Sequence, residues 1–251
     1  MLSIERQEQI IDLLNKKSPM SVRELGKKLF VSEATIRRDL SEMEEQLLIR
    51  RIHGGAVLPE NEHEETGLTF RLKENVKEKE KIVNLALPFV LKSKSIFMDA
   101  SSTCAILSNG LKTNYSTIVT TGMETALCLS KADCNNVILI GGNVAHGTSS
   151  VSGAITLTQL SNFNFDIAIM SCSGIDKDFF ATEKTFDQSA IKQQVLSQSS
   201  IKILLADNTK FTVTNLAKIC SLKEFDYIIT DKKPSEKFVD FAQNNNIKII
   251  Y

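Results

Sequence analysis

Two groups of residues could do chemistry, and they lie in opposite halves of the chain. In the first half Arg37 and Arg38 follow Ala34-Thr35-Ile36, and Arg50, Arg51 and His53 come soon after. Small side chains let a helix backbone approach a nucleic-acid groove, while arginine reaches a guanine edge or a phosphate. In the second half, hydroxyls, glycines and charged groups recur at the ends of apolar runs. These are Asp99-Ala100-Ser101-Ser102-Thr103, Thr120-Thr121-Gly122, Gly141-Gly142, Ser173-Gly174 and Asp207-Asn208-Thr209-Lys210. Hydroxyls beside a helix start hold anions, and glycine admits a close approach. That set suits a phosphorylated polyol or sugar.

The elements that must position the first group read as helices up to about Arg51. Ile4, Ile10, Ile11, Leu13 and Leu14 recur at helical spacing behind Ser3 as cap, and Ser18-Pro19 breaks the pattern. Ser21-Val22-Arg23-Glu24 is a capping box that opens a second helix with the stripe Val22, Leu25 and Leu29. After Phe30-Val31, Ser32 caps a third helix through about Gln46. On that helix Ile36, Leu40, Met43 and Leu47 stack on one face. Ala34, Arg38 and Ser41 then point the other way, with Thr35 and Arg37 on the flanks. Leu47–Ile52 and Ala56–Leu58, joined by His53-Gly54-Gly55, read as a hairpin. Helix, capped helix, capped helix and hairpin is the order of a winged helix-turn-helix. In it Ser32 offers its hydroxyl and the free N–H groups of its helix to phosphate, Ser21 is counted with it among the DNA-binding residues, and Arg50, Arg51 and His53 form a basic wing. Glu42, Glu44 and Glu45 are expected late in the third helix, away from its groove-entering end.

From Pro59 to about Gly67 the composition has little to bury and reads as a linker. Beyond it, short β-branched or apolar runs alternate with helical segments: Ser95–Ala100, Thr117–Thr121, Val137–Ile140, Asp166–Ser171, Ile201–Ala206, Tyr227–Thr230 and Ile247–Ile250. That alternation predicts a mostly parallel α/β sheet, whose ligands lie at the C-terminal ends of the strands. The expected domains are 1–58 for the helical reader, 59–75 for the linker and 76–251 for the α/β domain.

Composition narrows the function classes. The chain has 251 residues with 30 basic and 30 acidic side chains, so it cannot coat nucleic acid by bulk charge. The first 57 residues carry ten Lys/Arg against nine Asp/Glu, which leaves position to do the work. A hydrophobic fraction of 42% and a charged fraction of 24% are those of a folded protein. No run is long and apolar enough to span a membrane, and the N-terminus lacks the order of a signal peptide. The five cysteines (Cys104, Cys128, Cys134, Cys172 and Cys220) form no CxxC pair, which suits a reducing cytoplasm and argues against a zinc site or a disulfide framework. His53, His63 and His146 are scattered, so no metal and no cofactor is expected.

Thr35-Ile36-Arg37-Arg38-Asp39-Leu40 after Val31-Ser32, followed by Arg51-Ile52-His53-Gly54-Gly55-Ala56, resembles the N-terminal signature of the DeoR family of bacterial transcriptional regulators. The resemblance implies operator binding by the third helix and wing, usually as repression of a sugar-catabolic operon; because one short helix contacts few bases, a dimer or higher oligomer is expected. The second half is similar to the family's effector domain, which resembles ribose-5-phosphate isomerase in fold. The likeness includes Arg71 and Glu80-Lys81-Ile82 at the start of that domain's first helix. Carried over, it puts Asp99, Ser101, Ser102 and Thr103 in a first phosphate loop, and Thr121, Gly141 and Gly142 along the crevice. Gly174, Asp187 and Lys192 follow the fourth strand, and Asp207 with Lys210-Phe211 closes the far side. The chain departs from the family pattern with Ala100 for a common Gly, Cys104 for a hydroxyl, Thr121 for Asn, and Ser171-Cys172-Ser173 for a more glycine-rich stretch.

Asp99, Asp187, Asp207, Lys192 and Lys210 are also the residue types of an aldose–ketose isomerase, in which a carboxylate moves a proton and lysine steadies an enediolate. The sequence holds no nucleophile elbow, phosphate-binding Walker loop, HExxH or dinucleotide fingerprint. A DNA reader on the same chain gives the crevice a use in sensing, so no enzyme is expected. An activator or a ligand-independent regulator is the alternative.

Overall fold

The computed structural model describes residues 3–46, 48–57, 67–111, 115–131, 136–145 and 148–251. Leu47, Leu58, His63, Cys134 and His146 therefore lie outside the described residues, as do residues 59–66 of the expected linker. The chain divides into two compact units, residues 1–71 and 72–251.

The first unit runs α1 (Ser3–Lys16), β1 (Met20–Ser21), α2 (Val22–Leu29), α3 (Glu33–Glu45), β2 (Arg50–Ile52) and β3 (Gly55–Val57). The capping box forms as its spacing predicts: Glu24 N–H donates to Ser21 Oγ at 3.1 Å and Ser21 N–H to Glu24 Oε2 at 3.0 Å. Ile10, Leu14, Leu25, Ile36, Leu40 and Met43 close the core with at most 1% exposure. The wing is a three-stranded antiparallel sheet in the order β1-β3-β2, and Met20 pairs with Ala56. The sequence reading missed β1, because a two-residue strand has no periodicity to detect.

One polar residue enters this core. Asp39 is buried on α3 and takes a two-point pair from Arg6 of α1, Nε to Oδ2 at 2.5 Å and Nη2 to Oδ1 at 2.8 Å. This pair sets α3 against α1 by direction as well as by apolar contact.

α4 (Leu68–Lys73) occupies part of the stretch expected as linker, and its Phe70 is buried in the first unit's core. α5 (Val76–Val90) begins upstream of Glu80, where the first helix of the domain was expected to start. The second unit continues with β4 (Ser95–Met98), α6 (Ser102–Ser108), β5 (Thr117–Thr120), α7 (Met123–Leu129), β6 (Asn136–Leu139), β7 (Asn143–Ala145), β8 (Ser150–Ser152) and α8 (Ala154–Leu160). It ends with β9 (Phe165–Ser171), β10 (Gly174–Ile175), β11 (Phe180–Glu183), α9 (Phe186–Ser197), β12 (Ser199–Leu205), β13 (Ala217–Ser221), β14 (Tyr227–Ile229), α10 (Glu236–Asn244) and β15 (Lys248–Ile250).

Seven strands form one sheet in the order β15-β14-β12-β9-β4-β5-β6, and every neighbouring pair is parallel. They are the seven runs expected from the sequence. Both faces are covered, so the central strands read as continuous apolar runs. Ile167 and Ile169 of β9 join Ile96, Met98 and Ile203 in one core, while Ala168 and Met170 join Phe97 and Leu204 in the other. Parallel pairing puts all seven C-terminal strand ends on one edge. Two smaller sheets, β10-β11-β13 and the hairpin β7-β8, were not anticipated.

Candidate functional site

α3 presents the face the sequence predicts. Ile36, Asp39, Leu40 and Met43 are buried, Ala34, Arg37 and Arg38 are exposed, and Thr35 and Ser41 are half-buried. Ser32 caps the helix, its Oγ accepting Thr35 N–H at 3.2 Å, and remains exposed. Arg50, Arg51 and His53 stand exposed on the wing. Ser21 is different: its hydroxyl donates to Glu24 Oε2 at 2.9 Å and its N–H is taken by the same carboxylate, so its donors are committed.

Glu42, Glu44 and Glu45 lie in the last turn of α3, as expected, and two of them also reach basic side chains. Glu42 Oε1 is 3.4 Å from Arg38 Nε, one helical turn away, and Glu44 accepts Arg51 N–H at 3.1 Å with its other oxygen 4.0 Å from the guanidinium. Arg37 donates to Glu33 Oε2 at 2.7 Å. Residues four apart on a helix are neighbours, so an acid one turn along is a partner. Each of these pairs is solvent-exposed and can yield to a phosphate at little cost.

In the second unit several polar side chains gather around Ser171, the last residue of β9, at the C-terminal edge of the sheet. Its N–H donates to Asp99 Oδ2 at 2.9 Å, and its carbonyl accepts Lys192 Nζ at 2.6 Å. Its hydroxyl donates to Leu205 O at 2.7 Å and accepts Lys210 Nζ at 2.6 Å. Lys192 Nζ also lies 3.0 Å from Asp99 Oδ2 and donates to Glu183 Oε1. Burial pushes the Asp99 carboxyl up, but the Lys192 charge and the bonds with Ser101 and Ser171 outweigh it, and it titrates below the ordinary range. Burial pushes Lys192 down, and Glu183 and Asp99 together hold it above the ordinary lysine range. Nearby Cys172 is pushed up to about 12, chiefly by burial, so it stays a thiol.

The other sequence-predicted residues divide into two sets. Ser101 caps α6, its Oγ accepting Cys104 N–H at 3.2 Å, while Ser102 and Thr103 are buried. Asp207 is buried and caps the 208–210 turn, accepting Thr209 N–H at 3.0 Å and the Thr209 hydroxyl. Thr121 is fully buried with no hydrogen-bond partner for its hydroxyl among the described residues.

The glycines are used by the chain itself. Gly141 N–H donates to Gln159 Oε1 at 3.0 Å, and a Cβ on Gly142 would collide with Thr156 Oγ1 and Ser152 O. A Cβ on Gly174 would lie 2.5 Å from Val213 O. Asp187 is exposed and accepts the Ser152 hydroxyl of β8 at 3.3 Å. Gly141, Gly142 and Asp187 thus engage the β7-β8 hairpin and α8, and the cluster on Ser171 consists of Asp99, Lys192 and Lys210.

Residues 6–62 match the DeoR-like helix-turn-helix domain, and residues 74–232 match the DeoR C-terminal sensor domain. The chain belongs to the DeoR family. This DeoR-type chain is a helix-turn-helix transcriptional regulator. It is 34% identical to the HTH-type transcriptional regulator GolR of Listeria innocua, over 93% of this chain and 92% of that one. The glycerol-3-phosphate regulon repressor of Escherichia coli is 30% identical over 99% of both chains. The L-fucose operon activator of the same organism is 30% identical over 91% of this chain and 95% of that one. A ribose 5-phosphate isomerase A from Methanocaldococcus jannaschii overlaps 55% of each chain at a TM-score of 0.40 and 15% identity, which is too distant to carry an argument.

Sequence reasoning about this DeoR-family member missed Glu183. It lies on β11, buried, with its Oε2 accepting the Ser173 hydroxyl at 2.5 Å and its Oε1 accepting Lys192. A glutamate in Phe180-Ala181-Thr182-Glu183 looks like a solvated strand end. Only the packing of β11 beside α9 shows that it faces inward.

Proposed function

We propose that the protein binds an operator through α3 and the wing, represses a sugar-related operon, and is released by a phosphorylated sugar held at the C-terminal edge of the parallel sheet. The observation that carries the reading is Lys210. The residue is half-buried at the edge of the sheet and its ammonium donates to a hydroxyl, in a chain whose other unit presents an outward arginine face. The crevice residues recruited here are Asp99, Ser101 and Lys210, with Ser102, Thr103, Thr121 and Asp207 shaping the same edge. Lys192 acts through its partners, since its three donors are spent within the protein. The domain scheme of a reader in 1–58 and a sensor from 76 belongs to the same proposal.

No helix among the described residues is long and apolar enough to cross a membrane, which supports action in the cytoplasm. The protein acts by binding without turnover. One short helix contacts few bases, so operator binding uses a dimer or a multiple of it, with half-sites about 34 Å apart or a multiple of that. An isolated half-site should therefore bind far more weakly than the full operator.

Activation is the second sign such a chain can take, and the similarity to the L-fucose operon activator favours weighing it. The deciding experiment titrates the protein against DNA upstream of its own gene and neighbouring operons, at fixed salt, with and without sugar phosphates. Specific binding released by one compound supports repression. Binding strengthened by the compound, with reporter output rising, supports activation. Absence of specific binding at any salt tested, with folded protein, would sink both.

A further inference from the structure

The two ammonium groups on Ser171 are unequally available. Lys192 has three N–H donors and three acceptors: Asp99 Oδ2 at 3.0 Å, Ser171 O at 2.6 Å and Glu183 Oε1. The side chains of Lys192, Asp99 and Glu183 are 5%, 2% and 6% exposed. Two carboxylates face one ammonium, so the sealed cluster carries a net negative charge. Lys210 is half-buried, its ammonium donates to the Ser171 hydroxyl at 2.6 Å, and no carboxylate of a described residue forms an ion pair with it. Two of its donors remain for a ligand.

We propose that Glu183 is a specificity-determining positioning residue. By holding Lys192 inside the cluster, it leaves Lys210 as the ammonium on Ser171 that a ligand can reach. It thereby selects ligands with one phosphoryl group and hydroxyls elsewhere over ligands with two anionic groups. The proposal rests on the crevice being an anion-binding site, as above.

The physical reason is the sign of the charge at each end. A phosphoryl group beside Lys210 meets a cation with free donors. A second anionic group set toward Glu183 and Asp99 would meet a buried negative cluster, where repulsion is weakly screened. A ligand hydroxyl in that place can donate to a carboxylate oxygen or to Ser173 Oγ, whose own proton is taken by Glu183. Without Glu183, Lys192 would keep Asp99 as its partner and regain a donor.

The test is a calorimetric titration of the full chain with inorganic phosphate and with pyrophosphate at fixed ionic strength. The wild type is expected to bind phosphate roughly tenfold or more tightly than pyrophosphate, the scale of discrimination a misplaced polar group commonly causes. Glu183→Gln should tighten pyrophosphate binding by roughly tenfold and change phosphate binding by less than about threefold. Adding Lys192→Met to Glu183→Gln should remove the gain.

A wild type that prefers pyrophosphate overturns the proposal and needs no variant to do so. A folded Glu183→Gln with an unchanged ratio overturns it as well. Lys210→Gln separates the two levels: phosphate binding that survives it unchanged, or no phosphate binding by the wild type, defeats the crevice reading and this inference together. Phosphate binding lost in Lys210→Gln, with the ratio unmoved in Glu183→Gln, defeats the inference alone.

Discussion

Arg38 stands 83% exposed and 3.4 Å from Glu42, so it is tethered by a pair that water screens. Replacing that partner by a base edge gains a two-point contact at little cost. Arg38→Ala should weaken operator binding by roughly 1–3 kcal/mol and relax sequence preference at one position. Gel-shift titrations against single-base operator variants decide this, and an equal loss on every sequence would move Arg38 from base to phosphate. Glu42 bears on the same contact from the other side. Its Oε2 accepts Gln7 Nε2 at 3.1 Å and its Oε1 competes for Arg38. Glu42→Gln should strengthen DNA binding by about 0.5 kcal/mol, most visibly at low salt. In the second unit, Lys210→Gln should abolish the response to ligand and leave DNA binding intact. Release assays on both variants would show whether the two residue sets are separable.

The helical elements of the first unit depend on a few polar contacts that their spacing announces. The Glu24 carboxyl is held from 4.5 down to about 2 by the Ser21 N–H, with Lys17 and the Ser21 hydroxyl adding to it. A depressed carboxyl stabilises the fold above its ordinary pKa and loses that contribution as pH falls toward the folded value. Amide protection of α2 should therefore weaken between about pH 4.5 and 2, and Glu24→Gln should flatten that dependence. Ser21→Ala, which removes the cap itself, should cost about 1 kcal/mol in denaturant titration. Asp39→Ala belongs to a costlier class, because it removes the two-point carboxylate partner of Arg6 on α1, whose side chain is 12% exposed. About 3 kcal/mol is expected, with α3 losing its set and DNA binding falling on all sequences alike. The central parallel strands were legible in the sequence because burial on both faces makes each one an apolar run, and the partly exposed edge strands β6 and β15 because they keep short β-branched runs. β1, β7, β8, β10, β11, β13 and α4 were not, since elements of two to six residues repeat a period too few times to stand out from their surroundings.

At the scale of the whole molecule, the proposed function assigns charge and ligand to different units. Thirty basic and thirty acidic groups cancel, so in the proposed function attraction to DNA has to come from where α3 and the wing place their arginines. Each unit has its own core, with Ile36, Leu40 and Met43 in one and the two faces of the parallel sheet in the other. A ligand in the second unit changes operator affinity only as far as it binds the DNA-free state better than the bound one. At a hundred times its dissociation constant such a ligand should stabilise residues 72–251 by about 2.7 kcal/mol. Calorimetric scans should show that shift in the wild type, and Lys210→Gln should show none.

The sequence by itself determined the two halves, the capped helices of the reader, the outward face of α3, and the parallel sheet with its polar strand ends. Those features depend on local chemistry and on periods of two or 3.6 residues, which a linear reading can count. Tertiary structure alone decided how charges pair across the chain. Asp39 meets Arg6 across 33 positions, and Lys192 meets Asp99 and Ser171 from helix to strand. Glu183 turns inward, Gly142 and Gly174 make room for their own chain, and Lys210 keeps its donors while Lys192 loses them. An ion pair depends on where two side chains end up in space, and sequence separation does not record that distance.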